Sequence, residues 1–424
     1  MTGSRAGTAA VFGVGEFRVL WLAGVTSIVG DQLARVALSL LVFSRTGSAA
    51  ATAGTYALTM LPALVAGVLL SGLADRWPRR SVMVTADGVR AVLVAVMAVP
   101  GIPLGVVAGL LVIVQLAEAP FAAAQGAVLP DLLGGRYEAG QTVLLVTHQA
   151  CLVAGFGVGG LVAGWLGPQG ALAADAVTFA VSGLLLRTGL ARYPVENPDP
   201  GAAAAARGVA IRTRVRLAGW AGQIRSGAVL VAGDRRLRTL MALGWLATFS
   251  VVPEGLAAVY AHQVGLGPGW VGVLLAAEPA GAVVGALALR WVSRPVRLRL
   301  LGVLAVGTSA PLLAYVTRPG LAGALVVLAV SGLFSAYQVS CAATFVQLAP
   351  PGQRGQVLGF ARAGLIAGQG LGVAGGGLLA QATGSATVAI AAAGAAGTLL
   401  ALAAATAWSL LAPARVAAAL PAEH

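Results

Sequence analysis

Six acids stand inside long apolar runs of this sequence: Asp31, Asp87, Glu118, Asp175, Glu254 and Glu278. An ionisable group at the centre of a bilayer costs about 3 kcal/mol or more, so one that is kept there is paired, hydrogen-bonded or in use. Arg35 lies four residues after Asp31, one helical turn on, where the two can pair on one face. Carrying a proton or cation at Asp31 would then require the pair to break during the cycle, because a partner charge holds the anion. The other reading is a structural ion pair. Glu118 has no basic residue in its own run, the setting expected of a proton carrier, or else of a hydrogen-bonded core acid. Glu254, in "PEG", and Glu278, in "EPAG", follow the same logic beside residues that perturb a helix and free backbone partners. Asp87, with Arg90 three residues on, and Asp175 read as structural.

Other chemistries find no residues. All 27 basic residues are Arg, so a Walker A phosphate loop and a Lys Schiff base are both excluded. Cys151 and Cys341 fall in separate apolar runs and read as small packing residues. His148, His262 and His424 form no metal-binding pattern, and no nucleophile elbow, His box or acid-rich prenyltransferase motif occurs. The chain is therefore not expected to be an enzyme, to bind a metal or to hold a cofactor.

The elements that must position these acids are membrane helices. Of 424 residues 58% are hydrophobic and 10% charged, and apolar runs of about 20 residues, the length that crosses a bilayer core, recur throughout. Barrel strands would be shorter and would alternate. Breaks at charges, prolines and glycine clusters give twelve spans: 17–42, 49–73, 82–100, 103–129, 140–166, 169–190, 237–262, 268–290, 298–316, 320–347, 355–381 and 384–411. The first is expected to be a span rather than a removed signal peptide. With the N-terminus in the cytoplasm, 22 of the 27 arginines fall on the inner side and only Arg45 and Arg318 outside, which orients both termini inward, in a cell membrane. The net charge of +13 thus reflects topology, and no nucleic-acid motif accompanies it.

The polar stretch 191–236 divides the chain into an N-terminal six-helix half, 1–190, and a C-terminal one, 237–424. Its second part mixes Arg with apolar positions, as a helix on the membrane face would, or as a solvated connector would. The halves also share a spacing. Pro62 and Pro78 recur 217 residues later as Pro279 and Pro295, and the same offset carries Gly155, Gly159, Gly160 and Gly167 onto Gly372, Gly376, Gly377 and Gly384. Duplicated six-helix halves of one orientation suit alternating access, with a substrate site between them.

"SGLADRWPRR" (71–80), between the second and third spans, resembles the loop signature G-x-L-A-D-R-x-G-R-R of the major facilitator superfamily. Leu73, Ala74, Asp75, Arg76, Arg79 and Arg80 match, while Ser71 and Pro78 replace its two glycines. "FRVLWLAGVTSIVGDQL" (17–33), "DGVRA" (87–91), "APFAAAQGAVLPDLL" (119–133), "ALAADAVTFAVSGLLL" (171–186) and "PEGLAAVYAHQVGLGP" (253–268) resemble the branch of drug and siderophore exporters related to the enterobactin exporter. The resemblance implies a monomeric secondary transporter that exports an amphiphilic small molecule against a proton gradient. It also implies a gating role for Asp75, Arg76, Arg79 and Arg80, with Asp75 steadying a contact near the start of span 11. Two features depart from the drug antiporters of that superfamily. Span 4 lacks their Arg, and the span 5 glycine motif keeps Gly155, Gly159 and Gly164 but has Gly160 and Ala163 in place of a Pro and a Gly. An importer of the same fold, and a non-transporting receptor or channel, are the alternatives.

Overall fold

A backbone surrounded by lipid must satisfy its own hydrogen bonds, so unalternated apolar runs fold as helices. The computed structural model describes residues 10–70, 77–191 and 209–411, and every regular element among them is helical. The spans are α1 (Gly15–Thr46), α2 (Ala49–Leu58 and Pro62–Leu69), α3 (Arg79–Met97), α4 (Leu104–Leu133), and α5 and α6, the parts of Tyr137–Gly189 on either side of Gly167. The second set is α7 (Arg235–Trp245, Ala247–Ser250 and Val252–Gln263), α8 (Gly269–Leu289), α9 (Arg294–Ser309 with Ala310–Thr317), α10 (Leu321–Ser335 with Tyr337–Leu348), α11 (Arg354–Thr383) and α12 (Ala386–Leu410).

Among the described residues nine stretches are long and apolar enough to cross a membrane. One of them, Leu104–Gly189, is 86 residues long and contains α4, α5 and α6, while α3 is left out because Arg80, Asp87 and Arg90 interrupt it. The protein is thus an all-α membrane protein of twelve transmembrane helices. It divides into two compact units, Met1–Leu41 with Leu61–Ala218, and Val42–Met60 with Gly219–His424. The second unit therefore takes in the end of α1 and the first part of α2.

Local chemistry sets the ends. Ser48, Asp234 and Ser385 cap α2, α7 and α12 by accepting backbone N–H bonds from Ala51, Arg236 and Val388. Gly167, at φ 72°, adopts a left-handed conformation that turns α5 into α6 with Pro168 following, and Gly384, at φ 66°, ends α11. These two glycines are a pair at the 217-residue offset. Two further pairs of the set also act alike: Gly155 and Gly159 seat α5 on α1 at Gln32 and Leu33, and Gly372 and Gly376 seat α11 on α7 at Thr248 and Val252. The repeated spacing is thus a repeated packing device. Gly164, in contrast, is exposed.

The linker contains a helix, Val209–Gly233. Its final turns dock in the second unit, where Gly227 lies against the Gln356 backbone and Val231 is buried with Leu237, Leu240 and Trp408. Several membrane-depth aromatics also serve packing. The Tyr337 hydroxyl donates to the Leu243 carbonyl, Trp408 to Leu298 and Trp245 to Ala361.

The α8–α10 contact is the closest kind of helix packing. Gly281 and Gly285, one GxxxG step, face the α10 backbone at Ala329 and Leu333, and Gly332 faces the carbonyl of Glu278. A side chain at any of the three would meet backbone, which cannot yield. Gly332→Leu should lower stability by about 1–3 kcal/mol or prevent folding, whereas Gly157→Ala, in open space on α5, should be neutral or stabilising by up to about 1 kcal/mol. Thermal unfolding of both variants in one detergent checks this, and equal melting temperatures would refute it.

Candidate functional site

The first unit is organised around one buried cation. Arg90 of α3 is 1% exposed, and its guanidinium lies 4.0 Å above the ring of Phe179 from α6. Its Nη2 donates to both carboxylate oxygens of Asp31 on α1, at 2.8 and 2.9 Å. Its Nη1 donates to the Ser27 hydroxyl at 3.3 Å and stands 3.6 Å from Oδ1 of Asp87, one turn back on its own helix. Asp87 is fully buried and accepts a 2.6 Å bond from the Ser182 hydroxyl of α6. Asp175 of α6, also fully buried, accepts from Thr178 at 3.2 Å, against Gly30 of α1, where any side chain would collide with both.

Charges on four helices therefore meet here, because Glu118 of α4 also interacts electrostatically with Arg90. His148 of α5 feels the charges of Arg35 and Asp31. The side chain of Asp31 is 24% exposed, in contrast to the sealed Asp87 and Asp175. An accessible carboxylate tied to a buried guanidinium is an arrangement that can exchange a proton or a cationic group with solvent while the rest of the network stays dry.

The second unit has its own acid pair. The Tyr56 hydroxyl of α2 donates to the Glu254 carboxylate of α7, and Glu254 and Glu278 of α8 lie close enough to interact electrostatically. Both line a cavity with room for about one water, together with Ser250, Tyr260, Tyr315 and Leu328. The rings of Tyr260 and Tyr315 meet edge to face at 5.2 Å. Pro279 follows Glu278 and lacks an N–H, which leaves the carbonyl of Leu275 without its helical donor beside the same cavity. The pocket can hold a proton or a small polar group between carboxylates and hydroxyls.

The structure thus separates the expected acids into two sets, Asp31 with Glu118 in the first unit and Glu254 with Glu278 in the second. The bidentate partner of Asp31 is Arg90 rather than the same-helix Arg35. Glu118 is exposed, not a core acid. Of the loop signature, Asp75 and Arg76 lie outside the described residues. Arg79 pairs with Asp131 at the end of α4 and donates to the Ala127 carbonyl, and Arg80 donates to the Leu190 carbonyl at the C-terminus of α6, where helix polarity favours a cation. Both arginines fasten α3 to its neighbours. Sequence reasoning missed Arg90 as the hub. The signal was present, since Arg90 is itself a charge at membrane depth and so warrants the attention given to the acids.

Removing the hub should be severe. Arg90→Met leaves Asp31 and Asp87 without their common partner, and should cost about 3–5 kcal/mol. Adding Asp31→Asn should recover part of that loss, giving a non-additive cycle in thermal unfolding. Additive losses would show that the two residues are independent.

The fold has clear counterparts among solved structures. The peptide transporter POT superposes with a TM-score of 0.71 at 15% identity, covering 94% of this chain and 95% of that one. A bacterial homolog of the human lysosomal transporter Spinster, in an inward-facing and unoccupied conformation, gives 0.66 at 14% identity over 95% and 96% of the two chains. A POT family transporter in complex with 5-aminolevulinic acid gives 0.67 at 10% identity over 94% and 96%. At such identities the likeness concerns the fold. A comparison with curated protein sequences found no match. The family model of the Major Facilitator Superfamily matches residues 20–329, most of the chain, and with the twelve-helix fold it establishes this protein as a member of that superfamily of membrane transporters.

Proposed function

We propose that the protein is a secondary active transporter that exports an amphiphilic small molecule, such as a drug, antibiotic or siderophore, in exchange for protons by alternating access. The observation that carries this reading is the Arg90–Asp31 pair, an accessible carboxylate held by a buried cation among further acids. A proton arriving at Asp31 neutralises the carboxylate and weakens its hold on Arg90, so protonation is converted into rearrangement of α1 against α3. Export to the outside, rather than uptake, is supported by the stretches resembling the enterobactin exporter branch, Phe17–Leu33 and Pro253–Pro268 among them.

In this reading the halves 1–190 and 237–424 alternate about the linker 191–236, in the cell membrane, with both termini in the cytoplasm, and the protein works as a monomer. Asp31 and Arg35 face the proton, while Glu254 and Glu278 contribute substrate contacts or a second proton site. Asp75, Arg76, Arg79 and Arg80 gate the cycle, the two described arginines by bracing α3. The apolar composition and the absence of lysine leave no route for ATP hydrolysis within the chain, which fits gradient-driven movement.

The test is uptake into inside-out vesicles under an imposed pH gradient, with a panel of drugs and siderophores. Wild type should accumulate at least one compound in a gradient-dependent manner, and Asp31→Asn should reduce that to the background of vesicles lacking the protein. Full gradient-driven uptake by Asp31→Asn would remove it as the coupling group and turn attention to Glu118→Gln. Uptake confined to right-side-out vesicles would reverse the direction. Asp75→Ala should slow turnover while leaving the apparent substrate affinity unchanged.

A further inference from the structure

Arg90 does not account for every buried acid near it. Asp175 is 0% exposed, makes no ion pair among the described residues, and has beside its Oδ1 only the Thr178 hydroxyl at 3.2 Å, whose single proton is shared with a shorter 2.7 Å bond to the Asp175 carbonyl. Its Oδ2 is sealed and has no partner. A carboxylate anion so placed would be far more costly than a neutral carboxyl, because nothing replaces the water it has lost. The groups that face it are the Asp31 carboxylate from α1, Arg90 from α3 and Thr178 on its own helix, with Gly30 providing the close approach of α1. Asp87 and Glu118 act on the same Arg90.

We propose that Asp175 is a second proton-holding residue of the transport cycle, storing the proton while Asp31 holds Arg90. The exchange balances within the cluster. In the state described here Asp31 is the anion paired with Arg90 and Asp175 is the neutral carboxyl. When that proton passes to Asp31, the Asp31–Arg90 pair releases, and the guanidinium, whose Nε has no hydrogen-bond partner, turns to the new anion at Asp175. One proton moves, no charge is created, and only Asp31 needs to meet solvent. This deepens the coupling reading above and rests on it for its role in transport, whereas the stored proton itself does not.

The measurement is the infrared spectrum of the full-length protein in lipid nanodiscs at neutral pH. Wild type should show the C=O stretch of a protonated carboxyl, displaced in heavy water. Asp175→Asn should lose one such band, Thr178→Val should shift it, and Asp31→Asn, which mimics the protonated Asp31, should weaken or abolish it as Arg90 turns to Asp175. If Asp175→Asn does not fold, the Thr178→Val shift and labelling of aspartate carboxyls with carbon-13 still decide the assignment. An Asp175→Asn spectrum that keeps every protonated-carboxyl band of wild type, or no protonated aspartate band in wild type, overturns the proposal even where transport is proton-driven. A band assigned to Asp175 with transport indifferent to the gradient would instead retain the stored proton and sink the coupling reading.

Discussion

The burial of one guanidinium governs the first unit. Arg90 has lost essentially all contact with water, and each side of it is answered by a different helix: Asp31 and Ser27 from α1, Asp87 from its own α3 and the Phe179 ring from α6. Desolvating a charge is so expensive that the arrangement stands only as a whole. Helices that carry the partners must hold their register, and this explains the glycines around the cluster. Gly30 admits α6 to α1 and Gly155 admits α5 to the same helix. Polar chemistry and backbone proximity are one design, since a carboxyl can reach across an interface only where no side chain intervenes.

The second unit reaches a similar end without a buried cation in its cavity. Glu254 and Glu278 share the space with tyrosine and serine hydroxyls, and hydrogen bonding helps to keep these acids at membrane depth. The two units therefore differ in what they can respond to. Under the proposed function the first, balanced between charges, answers to protonation, and the second, with neutral donors around two acids, answers to a ligand or ion that brings charge with it.

Much of this was legible in the sequence because lipid imposes simple rules. Span length was readable, and the span ends fall within a few residues of those expected: the left-handed Gly167 sits between the ranges 140–166 and 169–190. What pattern could not supply was pairing between helices. Four-residue spacing suggested Arg35 for Asp31, while the bidentate partner lies 59 residues away, on a helix whose own charges made it the least apolar of the set. Tyr56 meeting Glu254 across 198 residues was equally invisible, because an aromatic in an apolar run carries no signal of its partner. Glu118 shows the converse error, where membrane depth was taken for burial. A helix at membrane depth has a face that looks to protein and a face that does not, and spacing alone did not assign Glu118 to one.

The turn at Gly167 bears on biosynthesis. α5 and α6 are joined through a single left-handed residue and a proline, with no loop to separate their entry into the bilayer. Inserted alone, α6 would carry Asp175 into the hydrocarbon at about 3 kcal/mol. Coupled to α5, which has no acid or arginine after Glu138, it enters as half of a helical hairpin whose apolar arm offsets that penalty. The acid that the mature protein hides among three helices is thus brought across the membrane by the residue least able to carry a side chain.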